Sequence, residues 1–346
     1  MSKFLRNISC MGGLVATLGI TLWSGSPEAQ SAYTLNFGTV APTGTPWSDQ
    51  LDTIKKRIES KSNGQIKVKL FLGGALGSEI EMIQDVQRGE RLQGGGFSTA
   101  AVGEALNVPL LQMIELPFLF NNEGQADAVL DEILYEPTKK ALADKGISFY
   151  SWTENGWRSF GTKGTVAPTS PELLTQYKMR AQESPVHLNM YKAMNVQAVA
   201  KPVSEVLPSL NTGIVTGFDN TPLFSLAAGW IEPITHYTLS KHIYQPAAVM
   251  YSKKFIDSLP ADLQAVVLED PQGEAKRGRQ AVRKLETELL ETISAMGKEV
   301  VELTPDQRKA FKQAVRQKTH AAFLGQYPEL QATYGAIKDK KQESKE

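Results

Sequence analysis

Gln65-Ile66-Lys67-Val68-Lys69-Leu70-Phe71-Leu72, then Gly73-Gly74-Ala75-Leu76-Gly77, then Ser78-Glu79-Ile80-Glu81-Met82-Ile83-Gln84-Asp85-Val86 is the run whose reading decides the fold. Its first part alternates apolar and charged side chains through Ile66, Val68 and Leu70, as a half-buried strand does. Asn63-Gly64 supplies the turn into that strand. Ile80, Met82, Ile83 and Val86 then recur at helical spacing, Ser78 with Glu81 forms a capping-box signature, and the helix ends at Gly89. Upstream, Tyr33-Thr34-Leu35-Asn36-Phe37-Gly38 alternates again, and Trp47, Leu51, Ile54 and Ile58 mark a helix between the two strands. Strand, helix, strand, helix in that order predicts an α/β fold. The glycine turn lacks the spacing of a dinucleotide-binding loop.

Downstream, Gly94-Gly95-Gly96-Phe97-Ser98 reads as a permissive stretch where backbone could approach a ligand, or as a plain loop. Residues 147–152 read as a strand. A second compact unit begins at Gly156-Trp157-Arg158, followed by strands at 177–180, 196–199, 237–239 and 247–251, a helix over 184–194, and a strand leading to Asp219-Asn220-Thr221-Pro222. From about 260 the chain reads as helical, with one long helix over 272–297 carrying Val282, Leu285, Leu289, Ile293 and Met296. Thr304-Pro305 then caps and starts another helix.

The 346 residues are 41% hydrophobic and 21% charged with zero formal net charge, so bulk electrostatics suggests no nucleic-acid partner. Lys3 and Arg6 precede an apolar run, which is followed by small residues to Ala32; residues 1–31 are expected to be a secretory signal peptide. Its removal takes the only cysteine, Cys10, and leaves 35 basic and 36 acidic residues. The mature chain then has no disulfide, no thiolate nucleophile and no Cys-ligated metal. His187, His236, His242 and His320 show no metal-binding spacing, and neither a nucleophile elbow nor a P-loop is present. No enzyme activity, cofactor or metal is expected.

Two arginines stand out, Arg158 and the Arg180 of Tyr177-Lys178-Met179-Arg180, each among apolar residues in a strand-like segment. A guanidinium presents five donors in a rigid plane, a match for a carboxylate. Taken alone, each reads first as a surface arginine in a local ion pair.

Several stretches together shift that balance: Leu35-Asn36-Phe37-Gly38, Asn63-Gly64-Gln65-Ile66, Leu76-Gly77-Ser78-Glu79, Leu116-Pro117-Phe118-Leu119-Phe120, Gly156-Trp157-Arg158, Lys178-Met179-Arg180, Ser204-Glu205-Val206 and 217–220. In their order and spacing the chain resembles the extracytoplasmic solute-binding proteins of tripartite ATP-independent periplasmic (TRAP) transporters, of the dicarboxylate-binding (DctP) type, over about 33–334. The resemblance implies a two-lobed periplasmic binding protein with a ligand cleft between the lobes and a long helix spanning both. It implies lobe I from 32–155 plus 245–283, and lobe II from 156–244 plus 284–335, before a disordered tail at 336–346. It further implies a monomer that captures a small carboxylate and delivers it to the small and large membrane subunits of the transporter. A sensory receptor of the same fold and a secreted enzyme on this scaffold are the alternatives. The family's paired carboxylate contact carries to Arg180, its second ligand-side cation to Arg158, and its asparagine to Asn220.

This chain departs from that pattern where sialic-acid-binding relatives carry a glutamate and an asparagine: Phe97 and Val40 stand there. Phe218 lies beside Asp219 and Asn220. These residues imply a carboxylate with an apolar or aromatic body, walled by Phe97, Phe218 and Trp157, with Ser98 and Asp219 in the same ligand set and Trp47 and Trp152 as further candidate walls.

Overall fold

The computed structural model describes residues 32–343, so the expected signal peptide lies outside the described residues. The strands among the described residues are β1 (Tyr33–Gly38), β2 (Ile66–Phe71), β3 (Gly94–Ser98), β4 (Ile147–Thr162), β5 (Lys178–Ala181), β6 (Gln197–Ala200), β7 (Gly217–Asn220), β8 (His236–Ser252) and β9 (Glu299–Glu302). They form one hydrogen-bonded sheet in the order β2-β1-β3-β8-β4-β7-β5-β6, with β9 added to β8. At one end β2, β1 and β3 run parallel, joined by the helices Pro46–Lys61 and Glu79–Arg88. At the other end β6, β5 and β7 run parallel, joined by Pro185–Ala193 and Val203–Thr212. Parallel strands need such crossovers, and the helices cover their faces. The capping box at Ser78 and the left-handed Gly89 bound the second helix as the sequence predicts. The apolar stripe Trp47, Leu51, Ile54 and Ile58 faces the core.

The two ends belong to different lobes, and β4 and β8 connect them. Each runs unbroken for 16 and 17 residues, roughly 50 Å of chain. The sequence reading divided both into shorter pieces. The reason is a β-bulge: Glu154 pairs with Pro246 and Gly156 with Gln245, leaving Asn155 unpaired between them. Pro246 has no N–H to give the ladder, and Gly156 takes φ +105°, so residues that look like a chain break mark a bulge inside a continuous strand. Both strands are buried on both faces and carry no alternation.

The helix expected over 272–297 is two helices, Pro271–Arg283 and Glu286–Ala295. Between them the Leu285 N–H reaches back three residues to Val282 before regular spacing resumes at Leu289. The first helix is held to lobe I, with Gln50 Nε2 donating to the Glu274 carbonyl at 3.1 Å. The second packs against the helix Pro222–Ala227 and β9. Each half buries its apolar face on a different lobe, so the span is broken rather than straight. β9 was missed because its four residues carry glutamate at both ends.

The tail expected to be disordered from 336 is helical from Gln331 to Glu343. Ile337 is fully buried in the main core, and Lys340 Nζ lies 2.8 Å from Glu132 Oε2. One well-placed apolar residue thus docks a segment whose composition reads as frayed. Ile337→Ala should lower the unfolding free energy by about 2–5 kcal/mol, whereas Asp339→Ala on the exposed face should stay within about 0.5 kcal/mol, as read by urea denaturation.

Candidate functional site

A cleft lies between the lobes and is lined by Val40, Trp47, Glu79, Ile80, Ser98 and Ala101 from one side, Arg180, Gln182, Glu183, Val203, Asn220 and Phe224 from the other, and Asn155, Arg158 and Gln245 at the crossing strands. The parallel strands β5 and β7 point their carboxyl ends, Arg180-Ala181 and Asn220, at it. Open α/β sheets collect ligands at such strand ends.

The two arginines are both buried, and they are not equivalent. Arg158 donates from Nε to Asp219 Oδ2 at 2.6 Å and from Nη2 to the Asp219 carbonyl at 2.5 Å. Its Nη1 donates to Gln245 Oε1 at 2.9 Å and Gln182 Oε1 at 3.1 Å. One N–H remains. Burial pushes the Asp219 carboxyl up, but Arg158 and the neighbouring His187 and His242 outweigh it and hold the group well below the carboxylate range. This pair is neutral as a unit.

Arg180 is spent differently. Its Nε and Nη2 both turn to one backbone carbonyl, that of Lys201, at 3.0 and 2.7 Å, and the guanidinium lies 5.3 Å from the Trp230 ring centroid. Both Nη1 hydrogens and one on Nη2 are left uncommitted. No carboxylate among the described residues comes within 4.0 Å of it. Burial, and then repulsion from Arg158, pull its pKa down to about 10. A buried cation without a counter-charge is costly, and this one lines an open cleft.

Across the cleft stands its complement. Glu79, the first residue of its helix, accepts from Ser98 N at 2.6 Å and Ser98 Oγ at 2.9 Å, with no cation within 4.0 Å among the described residues. Burial raises its carboxyl from 4.5 to about 7, against the opposing Ser98 hydrogen bonds. Asn220 Oδ1 accepts from Thr221 N and Asn155 Nδ2, which turns the Asn220 amide donors toward the cleft. Apart from the Glu183 carboxylate, the lobe II wall therefore offers hydrogen-bond donors, and the lobe I wall an acceptor.

Of the expected site residues, the structure gathers Arg158, Arg180, Asn220 and Ser98 at the cleft and puts Asp219 beneath it as the partner of Arg158. Phe97 and Phe218 are fully buried in the core, because strand alternation turns Ser98 and Asp219 the other way. Phe97 packs over Gly95, where a Cβ would sit 2.4 Å from its ring; the glycines there admit aromatic rings rather than a ligand. Trp157 lines a different cavity behind the crossing strands, its Nε1 donating to Glu123 at 2.6 Å. Trp47 lines the cleft, and Trp152 is buried with its Nε1 on the Leu130 carbonyl. Glu79, Asn155, Gln182, Glu183 and Gln245 were missed. Glu79 adjoins the capping box and read only as helix-start acidity; the bulge at Asn155 has an Asn-Gly signature that read as a boundary. Among the described residues no group of three or more His, Cys, Asp or Glu side chains is arranged to hold a metal ion, and no helix is long and apolar enough to cross a membrane.

Two α/β lobes joined by crossing strands, with an unpaired cation in the cleft between them, define a solute-binding protein. Residues 37–326 match the family model of bacterial extracellular solute-binding proteins, family 7 (DctP), and the chain belongs to that family, the TRAP solute-binding proteins. A solute-binding protein of Verminephrobacter eiseniae is 30% identical over 73% of this chain and 74% of its own. A TRAP periplasmic solute-binding protein of Citrobacter koseri, solved with bound D-glucuronate, is 28% identical with a TM-score of 0.81, covering 88% of this chain and 99% of that one. The sugar acid binding protein DctPAm of Advenella mimigardefordensis, solved in complex with galactonate, is 25% identical with a TM-score of 0.83, covering 90% and 98%.

Because the folded value of Glu79 lies above its ordinary one, the folded state favours the protonated carboxyl. The stability this group carries is complete below about pH 4.5 and lost as pH rises through about 7. Glu79→Gln should therefore gain on the ligand-free wild type by about 2–3 kcal/mol between pH 5 and pH 8, measured as the difference between the two urea-denaturation series.

Proposed function

We propose that this protein is a periplasmic receptor that captures a small hydroxylated organic acid by closure of its lobes and delivers it to the membrane subunits of a TRAP transporter. The observation that carries this reading is Arg180: buried, lining the cleft, free of any carboxylate partner among the described residues, and holding three uncommitted N–H groups. A ligand carboxylate supplies both the missing charge and a two-pronged acceptor. Asn220 donates beside it, and Arg158 adds its one remaining N–H.

The apolar or aromatic body expected for the ligand lacks support, since Phe97 and Phe218 face the core. The lining sets apolar side chains, Trp47, Ile80, Val203 and Phe224 among them, beside amides, carboxylates and a serine hydroxyl; those polar groups match ligand hydroxyls and would go unpaired against a wholly apolar body. Bound D-glucuronate and galactonate in the two solved relatives support a sugar acid.

A thermal-shift screen of sugar acids tests this. The wild type should gain about 2.7 kcal/mol at a hundredfold excess of ligand over its dissociation constant, and Arg180→Ala should lose that gain. Ligand stabilisation that survives intact in Arg180→Ala refutes the site. Arg158→Ala behaves differently: it strands the buried Asp219 carboxylate and should cost the ligand-free protein about 3–5 kcal/mol, far more than Arg180→Ala does.

A further inference from the structure

Four side chains form a chain of hydrogen bonds from one wall of the cleft to the other. Arg158 Nη1 donates to Gln182 Oε1 at 3.1 Å, Gln182 Nε2 donates to Ser98 Oγ at 2.7 Å, and Ser98 Oγ donates to Glu79 Oε2 at 2.9 Å.

The direction of every link is forced. A guanidinium has no acceptor, so the Gln182 oxygen must face Arg158, and Gln245 Nε2 donates to the same oxygen at 2.8 Å. The Gln182 amide nitrogen is then turned across the cleft. Ser98 Oγ must accept from it, and its own hydrogen is left pointing at Glu79. The Ser98 backbone N–H donates to the other Glu79 oxygen. Both oxygens of Glu79 are thereby held as acceptors, and their remaining lone pairs face the cleft.

We infer that Gln182 and Ser98 determine specificity: relayed from Arg158, they fix Glu79 as an acceptor, so that the receptor takes a monocarboxylate carrying a hydroxyl at its far end and rejects the corresponding dicarboxylate. Charge in the lining agrees. Arg158 is already neutralised by Asp219 at 2.6 Å, Arg180 is the cation left for an anion, and Glu79 and Glu183 stand without a cation within 4.0 Å among the described residues. A second ligand carboxylate would meet Glu79 with no unspent cation nearby. A hydroxyl there donates into a waiting acceptor. Like-charge juxtaposition is a strong rejecting element where water is excluded.

This inference rests on the receptor reading above, and a pair of probes separates the two. Galactonate and galactarate differ only at the far carbon, a primary alcohol in the first and a second carboxylate in the second. Calorimetric titration at pH 8, above the value of about 7 reached by Glu79, should give the wild type a preference for galactonate of about thirtyfold or more. Glu79→Gln removes the charge and should bring the ratio to within about threefold; Ser98→Ala and Gln182→Met, which cut the relay, should lower it by about fivefold or more. Loss of packing alone would weaken both acids together and leave the ratio unchanged. Equal binding of the two acids by the wild type, or a ratio that stays at the wild-type value in all three variants, overturns the inference while leaving the receptor reading intact. Failure of both acids to bind, together with an empty sugar-acid screen, overturns both.

Discussion

Arg158 and Asp219 neutralise each other in the floor of the cleft at 2.6 Å, both buried, and the state of every neighbouring group follows from that pairing. Because Asp219 is consumed there, it gives no salt bridge to Arg180 on the neighbouring strand β5, and Arg180 stays charged and without a carboxylate partner. Because the remaining donors of Arg158 are directed at Gln182 and Gln245, the amides of those residues have one possible orientation each. Burying an ion pair is a poor source of stability. Its use here is orientation: a donor-only group at the centre of a network polarises each partner in turn.

The network sits where it does because of the crossing strands. A bulge at Asn155, opposite a proline, lets β4 and β8 change register as they pass between lobes, and the extra residue turns its amide toward Asn220 and Gln245. The same junction is bordered by the break between the helices Pro271–Arg283 and Glu286–Ala295. Arg283, at that break, is tied to Asp127 and Glu154 at 2.8 Å each. Hinges are built from a few element-terminal residues that absorb backbone change, and a bulge beside a helix break supplies such residues at one level of the molecule.

Strands and helices at the lobe ends were legible in the sequence, since period-two and period-3.6 patterns and a capping box depend only on which face is buried. The continuity of β4 and β8 was not. Strands buried on both faces show no alternation, and Asn-Gly and Pro signal a turn as readily as a bulge. The docked C-terminal helix was hidden for a similar reason: charged composition says nothing of whether one isoleucine finds a pocket.

For the site, the types and chain positions of Arg158, Arg180, Ser98, Asp219 and Asn220 were readable, and so was the family likeness that selects them. By itself the sequence determined the α/β class and the candidates for carboxylate recognition, and it carried the expectation of a signal peptide. Only the tertiary structure decided that Arg158 is spent on Asp219 while Arg180 is not, that Phe97 and Phe218 turn to the core, and that Glu79 lines the cleft on the wall opposite Arg180. The reason is that a charge's function depends on what lies within about 4 Å of it, and across this cleft the linked side chains Ser98 and Gln182 come from segments 84 residues apart.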